Sequence, residues 1–282
     1  MRTRLFGLMF GLLTYAGVTA VTAASPPKAP PKAGAPAIPK LSPDEGPANY
    51  DFCLSTARSY PEQGFEMAGR WEGVGGGEPA RHCAAVALIG LHQYSEAAGR
   101  LEKLAEESKG GPDVRAGMLA QAGQAWFLNG DNEHAYADQT TALKLAPEKS
   151  SQSADILVDR AATLADSGKY EDTVIDLTAA LAIEPNNVDA LTFRANAYHD
   201  MGKNELALAD AERAVTMDGN DPAARLMRGI LYVHDGRGAD ARQDWLKVLQ
   251  IAPNSDAAKS ARENLERLDV NVGKDKPPAP QP

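Results

Sequence analysis

A repeat of 34 residues constrains this chain more than any other feature. Pro185, Gly219 and Pro253 stand 34 residues apart, and Pro147 joins their column once Ser150 to Ser153 are allowed as a four-residue insertion. The other columns then align without further adjustment. Gly130, Gly168, Gly202 and Gly236 mark a tight turn near the middle of each unit. Gly123, Ala161, Ala195 and Gly229 place a minimal side chain in the first half, where a partner helix crosses closely, and Trp126, Leu164, Tyr198 and Tyr232 follow three residues later. Ala135, Thr173, Ala207 and Ala241 open the packed face of the second half; Ala142, Ala180, Ala214 and Val248 close it. Within each half these positions recur in steps of three and four, the period of an amphipathic helix, so each unit is predicted to be two helices joined by a short turn. Ser153, Asn187, Asp221 and Ser255 come just before the units, with side chains able to accept hydrogen bonds from the free amides of a first helical turn. They are the expected N-caps.

The period, the small-then-aromatic spacing, the mid-unit glycine, the alanine in the second half and the terminal proline together resemble the tetratricopeptide repeat family. The resemblance is strong from Ala116 to Ser255 and fair from Glu78 to Glu107, through Ala85, Leu88, Tyr94, Ala97 and Leu101. It is weaker from Ala48 to Trp71, where Tyr60-Pro61 is expected to break a shortened hairpin. It implies an all-α fold, a right-handed α-solenoid of about six hairpins over approximate units 48–74, 78–111, 116–149, 154–187, 188–221 and 222–255. A helix over 256–268 would cap the stack within a folded region of 48–270.

Two charged columns recur as well: Asp138, Asp176, Asp210 and Asp244 in second helices, and Arg160, Arg194, Arg228 and Arg262 in first helices. The unit holding Asp138 has Ala122 in the arginine column, the preceding unit has Arg100 in the aspartate column, and Arg262 lies in the cap. These irregularities vanish if each aspartate pairs with the arginine of the following unit. The expected inter-repeat salt bridges are therefore Asp138 with Arg160, Asp176 with Arg194, Asp210 with Arg228 and Asp244 with Arg262. Exposed pairs of this kind contribute about 0–1 kcal/mol each.

The ends have a different character. Residues 1–24 carry Arg2 and Arg4, run apolar from Leu5 to Val18 and end in Val21-Thr22-Ala23-Ala24, the plan of a secretory signal peptide cut after Ala23 or Ala24. An uncleaved membrane anchor is the alternative. Residues 25–47, rich in proline, alanine and lysine, are expected to form an extended spacer, and 271–282 a disordered tail. A periplasmic location follows. Cleavage would remove two arginines and no acid, taking the net charge from −9 to −11, which argues against nucleic acid as a partner.

No pattern for catalysis, a cofactor or a metal emerges, and the chain is expected not to be an enzyme. His82, His92, His134, His199 and His234 repeat no zinc or triad spacing. Gly73-Val74-Gly75-Gly76-Gly77 has neither the preceding strand nor the following Lys-Ser/Thr of a phosphate loop. Cys53 and Cys83 fall on the first helices of the two opening hairpins, which stack as neighbours in the family that the chain resembles. A disulfide is expected there, with two buried thiols as the alternative. Closing a loop of about thirty residues would stabilise that end by roughly 3 kcal/mol.

The resemblance further implies that a partner is gripped by the inner face of the first helices. By column that wall holds Gln121, Gln124 and Phe127; then Asp155, Val158, Asp159 and Ala162; then Asp189, Thr192, Phe193, Asn196 and His199; then Leu226, Met227 and Ile230. It reads as acidic at its middle and apolar towards Met227, which suits an extended or helical peptide with some positive charge. Only Asn196 matches the subtype of the family that clamps a partner's carboxylate, and no basic residue stands in the other columns. The expectation is a periplasmic scaffold binding a protein or peptide in envelope assembly, secretion or export. A module binding cell-wall glycan or an exported polymer, and a membrane-anchored structural protein, are the alternatives.

Overall fold

The computed structural model describes residues 46–274, and the regular structure among them is helical throughout. The expected signal peptide, most of the proline-rich spacer and the tail from 275 onward lie outside the described residues. In chain order the helices are α1 (Gly46–Ser59), α2 (Pro61–Gly73), α3 (Gly77–Gly90), α4 (Tyr94–Glu107), α5 (Pro112–Leu128), α6 (Asn132–Leu145), α7 (Ser151–Asp166), α8 (Tyr170–Ile183), α9 (Val188–Asp200), α10 (Asn204–Met217), α11 (Pro222–His234), α12 (Gly238–Ile251) and α13 (Asp256–Lys274). Among the described residues no helix is long and apolar enough to cross a membrane.

The turn inside each hairpin is set by one backbone angle. Gly130, Gly168, Gly202 and Gly236 all have φ between +73° and +79°, the left-handed region that a side chain disfavours and glycine does not. His92 stands at the same place between α3 and α4 with φ 59°, so that turn keeps its shape at a steric cost. The small column next to the aromatic one has an equally local reason. A Cβ on Gly229 would lie 2.4 Å from Trp245 Nε1, and one on Gly123 2.7 Å from Gln139 Cγ.

The chain divides into two compact units within α7, between Ile156 and Leu157. In the first, α1, α2 and α3 enclose Cys53, Met67, Trp71, Cys83 and Ala84. Cys53 and Cys83 form a disulfide between α1 and α3, with Cα atoms 6.1 Å apart. Further along this unit Leu88, Ala97 and Ala125 join α3, α4 and α5, and Ala116, Ala142 and Ile156 join α5, α6 and the start of α7. In the second unit Ala195, Ala207, Ala211, Met227 and Leu231 form one core between α9, α10 and α11. Leu226, Trp245, Val248, Ala258 and Ala261 form another, which α13 closes with Leu265 and Leu268. The helix α13 continues to Lys274, past Leu268, where the repeat pattern ends the cap.

The caps agree with the sequence at three of four places. Asn187 accepts from the Ala190 amide at 2.9 Å, Asp221 from Ala224 at 2.6 Å and Ser255 Oγ from Ala258 at 3.1 Å. Ser153 does not cap. The insertion starts α7 at Ser151, and Ser150 Oγ takes the Ser153 amide at 3.1 Å.

The phase of the charge ladder is corrected outright. Arg160 holds Asp176, Arg194 holds Asp210 and Arg228 holds Asp244, each through two N–H···O bonds of 2.7 to 2.9 Å, so the pairs close individual hairpins and do not join neighbouring ones. The reason is hairpin symmetry. Arg160 stands eight residues before the turn glycine Gly168 and Asp176 eight after it, so an antiparallel fold brings them opposite each other. Asp244 also accepts from Arg225 at 2.7 Å, and Arg262 donates to the Pro253 carbonyl. Asp138 is likewise eight past its glycine, opposite Ala122, and takes no arginine of its own hairpin.

Candidate functional site

The first helices of the second unit lie side by side: α9 packs on α11 and α11 on α13. Of the residues assigned to a binding wall there, Val158, Asp159 and Ala162 are half-buried on α7, Phe193, Asn196 and His199 on α9, and Ile230 on α11, while Asp189 is exposed. Three others are core. Thr192 is 1 % exposed, Leu226 4 % and Met227 1 %. Met227 fills the cluster with Ala195 and Leu231, while the carbonyl of Leu226 receives the Trp245 indole N–H at 3.2 Å. A short helix packed by α9, α10, α12 and α13 has little surface left, so the apolar end of the wall shrinks to Ile230. In the first unit Gln121, Gln124 and Phe127 are half-buried on α5, and Asp155 at the start of α7 is exposed.

The electrostatics of the second unit's face follow from the ladder. Arg194, Arg225 and Arg228 project from α9 and α11, but their guanidinium groups are turned onto Asp210 and Asp244. Asp189 is the exposed charge on that face. The Asp189 carboxyl titrates above its ordinary range, because partial desolvation and the nearby Asp221 carboxylate both oppose its charge. The Asn196 amide donates to the Thr192 carbonyl one turn back on its own helix, at 2.9 Å. His199 and His234 bring their rings to 5.0 Å, and partial burial together with His199 lowers the His234 pKa.

Sequence reasoning left several contacts unseen. His82, treated as an ordinary structural residue, links three helices of the first unit: its Nδ1 meets the Tyr50 hydroxyl at 2.7 Å and its Nε2 the Gln121 Oε1 at 2.8 Å. Gln121 Oε1 can only accept, so Nε2 carries the proton and Nδ1 accepts from Tyr50. Burial lowers the His82 pKa and keeps the ring neutral. Glu102, on α4, accepts the Trp126 indole N–H at 2.6 Å, and desolvation together with the Glu102 charge pushes the Asp138 carboxyl up to about 7. No column pattern carries the His82 contacts, because Tyr50 and Gln121 lie on different repeats in unrelated columns, whereas the pair Glu102 and Trp126 recurs by column as Glu212 and Tyr232. Among the described residues no group of three or more His, Cys, Asp or Glu side chains is placed to hold a metal ion.

Comparison with known proteins agrees with this architecture. A family model for the tetratricopeptide repeat matches residues 158–222 and 194–257. No curated protein matches the chain by sequence. Among solved structures, MamA (residues 41 to the end) from Desulfovibrio magneticus RS-1 superposes with a TM-score of 0.52 at 21 % identity, over 62 % of this chain and 94 % of that one. The thermophilic protein TTC0263 from Thermus thermophilus superposes with a TM-score of 0.53 at 20 % identity, over 67 % and 98 %. A chain of the APC/C hetero-tetramer Cut9–Hcn1 gives 0.60 at 13 % identity over 78 % of this chain, which spans only 43 % of that one. At these identities the likeness is one of fold. With the repeat columns, the hairpins they build and the family match in agreement, residues 158–257 are tetratricopeptide repeats, and the all-α hairpin fold continues on either side of them.

Proposed function

We propose that this protein is an exported, non-enzymatic scaffold that holds a protein or peptide partner along the first-helix face of its second unit, in envelope assembly, secretion or export. One observation supports the reading above the others. The arginines of α9 and α11 are held by the hairpins' own aspartates, so the face beside Phe193, Asn196 and Ile230 carries the exposed acid Asp189 without a competing free guanidinium from Arg194, Arg225 or Arg228. A partner segment with an apolar side chain for Phe193 and Ile230 and a positive charge for Asp189 fits that chemistry. Export rests on residues 1–24, whose charged start, apolar run and small-residue end have the plan of a cleaved signal.

Capture from periplasmic extract with the mature chain, repeated with Phe193→Ala and Asp189→Lys, tests the proposal. A partner retained by the parent chain and lost by both variants is the expected result. A partner held equally by all three chains removes this face from consideration, and recovery of the protein only from the cytoplasm removes the exported role.

A further inference from the structure

His199 and His234 lie three and two residues before the turn glycines Gly202 and Gly236, near the ends of α9 and α11, which pack side by side. Their rings stand 5.0 Å apart and are tilted by 59°, so they do not stack face to face. His199 is half-buried and His234 exposed, which leaves the pair open to solvent. His199 Nδ1 meets the Oδ1 of Asn204, at the start of α10, at 3.0 Å. That oxygen only accepts, so Nδ1 carries the proton and the Nε2 lone pair is left for another partner. The two other exposed histidines are held differently, His92 by the Tyr94 hydroxyl and His134 by the Asp131 carboxylate.

We propose that His199 and His234 bind one late first-row divalent cation, Cu2+ above Ni2+ and Zn2+, as a two-imidazole clip between the hairpins α9–α10 and α11–α12. The spacing of the rings suits it. A histidine nitrogen sits about 2.0–2.1 Å from such an ion, which puts each ring centre roughly 3.2 Å from it, and two rings at angles between square-planar and tetrahedral then stand about 4.5–5.2 Å apart. The observed 5.0 Å lies within that span. Asn204 does what an outer acceptor does for a ligating histidine, fixing the tautomer and the direction of the ring. A metal needs the neutral imidazole, and partial desolvation with the charge of His199 lowers the His234 pKa in that direction. No cysteine thiol competes, because both cysteines are in the disulfide. Among the described residues no third His, Cys, Asp or Glu joins the pair, so water fills the other positions on the ion and the clip is exchangeable.

The test uses the full chain with its disulfide intact, at pH 7.5, with Cu2+ as the probe. Calorimetric titration should show one ion per chain at the strongest site. His199→Ala and His234→Ala should each weaken that site about 100-fold, because the second imidazole binds an ion already held by the first. Asn204→Ala should weaken it about tenfold, through a ring no longer held in one direction. His134→Ala should leave it unchanged. Ni2+ and Zn2+ should bind less tightly to the same two residues, and Mg2+ and Ca2+, which take oxygen ligands, should not compete. A second measurement needs no variant: with free Cu2+ about tenfold above its Kd, the amide-exchange opening constant of α9 and α11 should fall about tenfold, while that of α3 and α4 stays level. No copper binding by the parent chain, an affinity that survives the loss of either histidine, or binding that leaves the opening of α9 and α11 unchanged refutes the clip.

Discussion

Reversing the expected phase of the ladder gives it more weight as well as a new position. Arg194 donates from Nε to Asp210 Oδ2 at 2.7 Å and from Nη2 to Oδ1 at 2.9 Å, and the two side chains are 16 % and 10 % exposed. A two-pronged contact at that depth is screened far less than a surface pair. Its Arg194 Nη1 bond to Thr178 is exposed and adds little. Cutting Arg194 to Met leaves a buried carboxylate without its cation, which costs about 3–5 kcal/mol. Replacing both partners, as Arg194→Met with Asp210→Leu, removes the uncompensated charge and should return part of that loss. The coupling energy expected from the cycle is about 2–3 kcal/mol. Urea unfolding at neutral pH measures it, and amide exchange of α9 and α10 checks that the loss starts there. The comparison cycle joins Asp210 to Arg228, whose guanidinium is taken by Asp244, and should give no more than about 0.5 kcal/mol. A larger coupling across Asp210 and Arg228 than within Arg194 and Asp210 would refute the assignment of the ladder to single hairpins.

Two further expectations concern packing and protonation. Gly229→Ala should destabilise the second unit by about 1–3 kcal/mol, read as a lower urea midpoint, because the new methyl enters the Trp245 indole; unchanged stability would mean that Trp245 moves aside at no cost. Neutral His82 has a folded pKa below its ordinary 6.5, so its contribution is complete above that value and is lost as pH falls below it. Exchange protection of α1 and α3 should therefore decrease from pH 7.5 to 5, and His82→Asn should flatten that response. Protection that holds steady in the parent chain would show that the Tyr50–His82–Gln121 bridge accepts a proton without strain.

Much of the fold was legible before any coordinate. The 34-residue columns carry helix periodicity, the turn glycines carry the positive φ and the cap residues carry the helix starts, all decided by neighbours within a few positions along the chain. The one displaced cap, Ser150 in place of Ser153, follows from the inserted residues that put the column out of step with the helix. The true ladder was legible too, in the eight-residue symmetry of Arg160 and Asp176 about Gly168, but the irregular ends of the columns suggested a different pairing.

The binding wall was less legible, because it depends on which sides of a helix are covered. Column position put Thr192, Leu226 and Met227 on an open face, whereas the helices around α9 and α11 bury all three. The sequence alone determined the hairpins, since period and turn geometry are properties of the local chain. Only the tertiary structure decided that His82 joins Tyr50 to Gln121. Those contacts arise between residues 32 to 39 positions apart, where helix packing and the loss of water, and no local preference, select the partner.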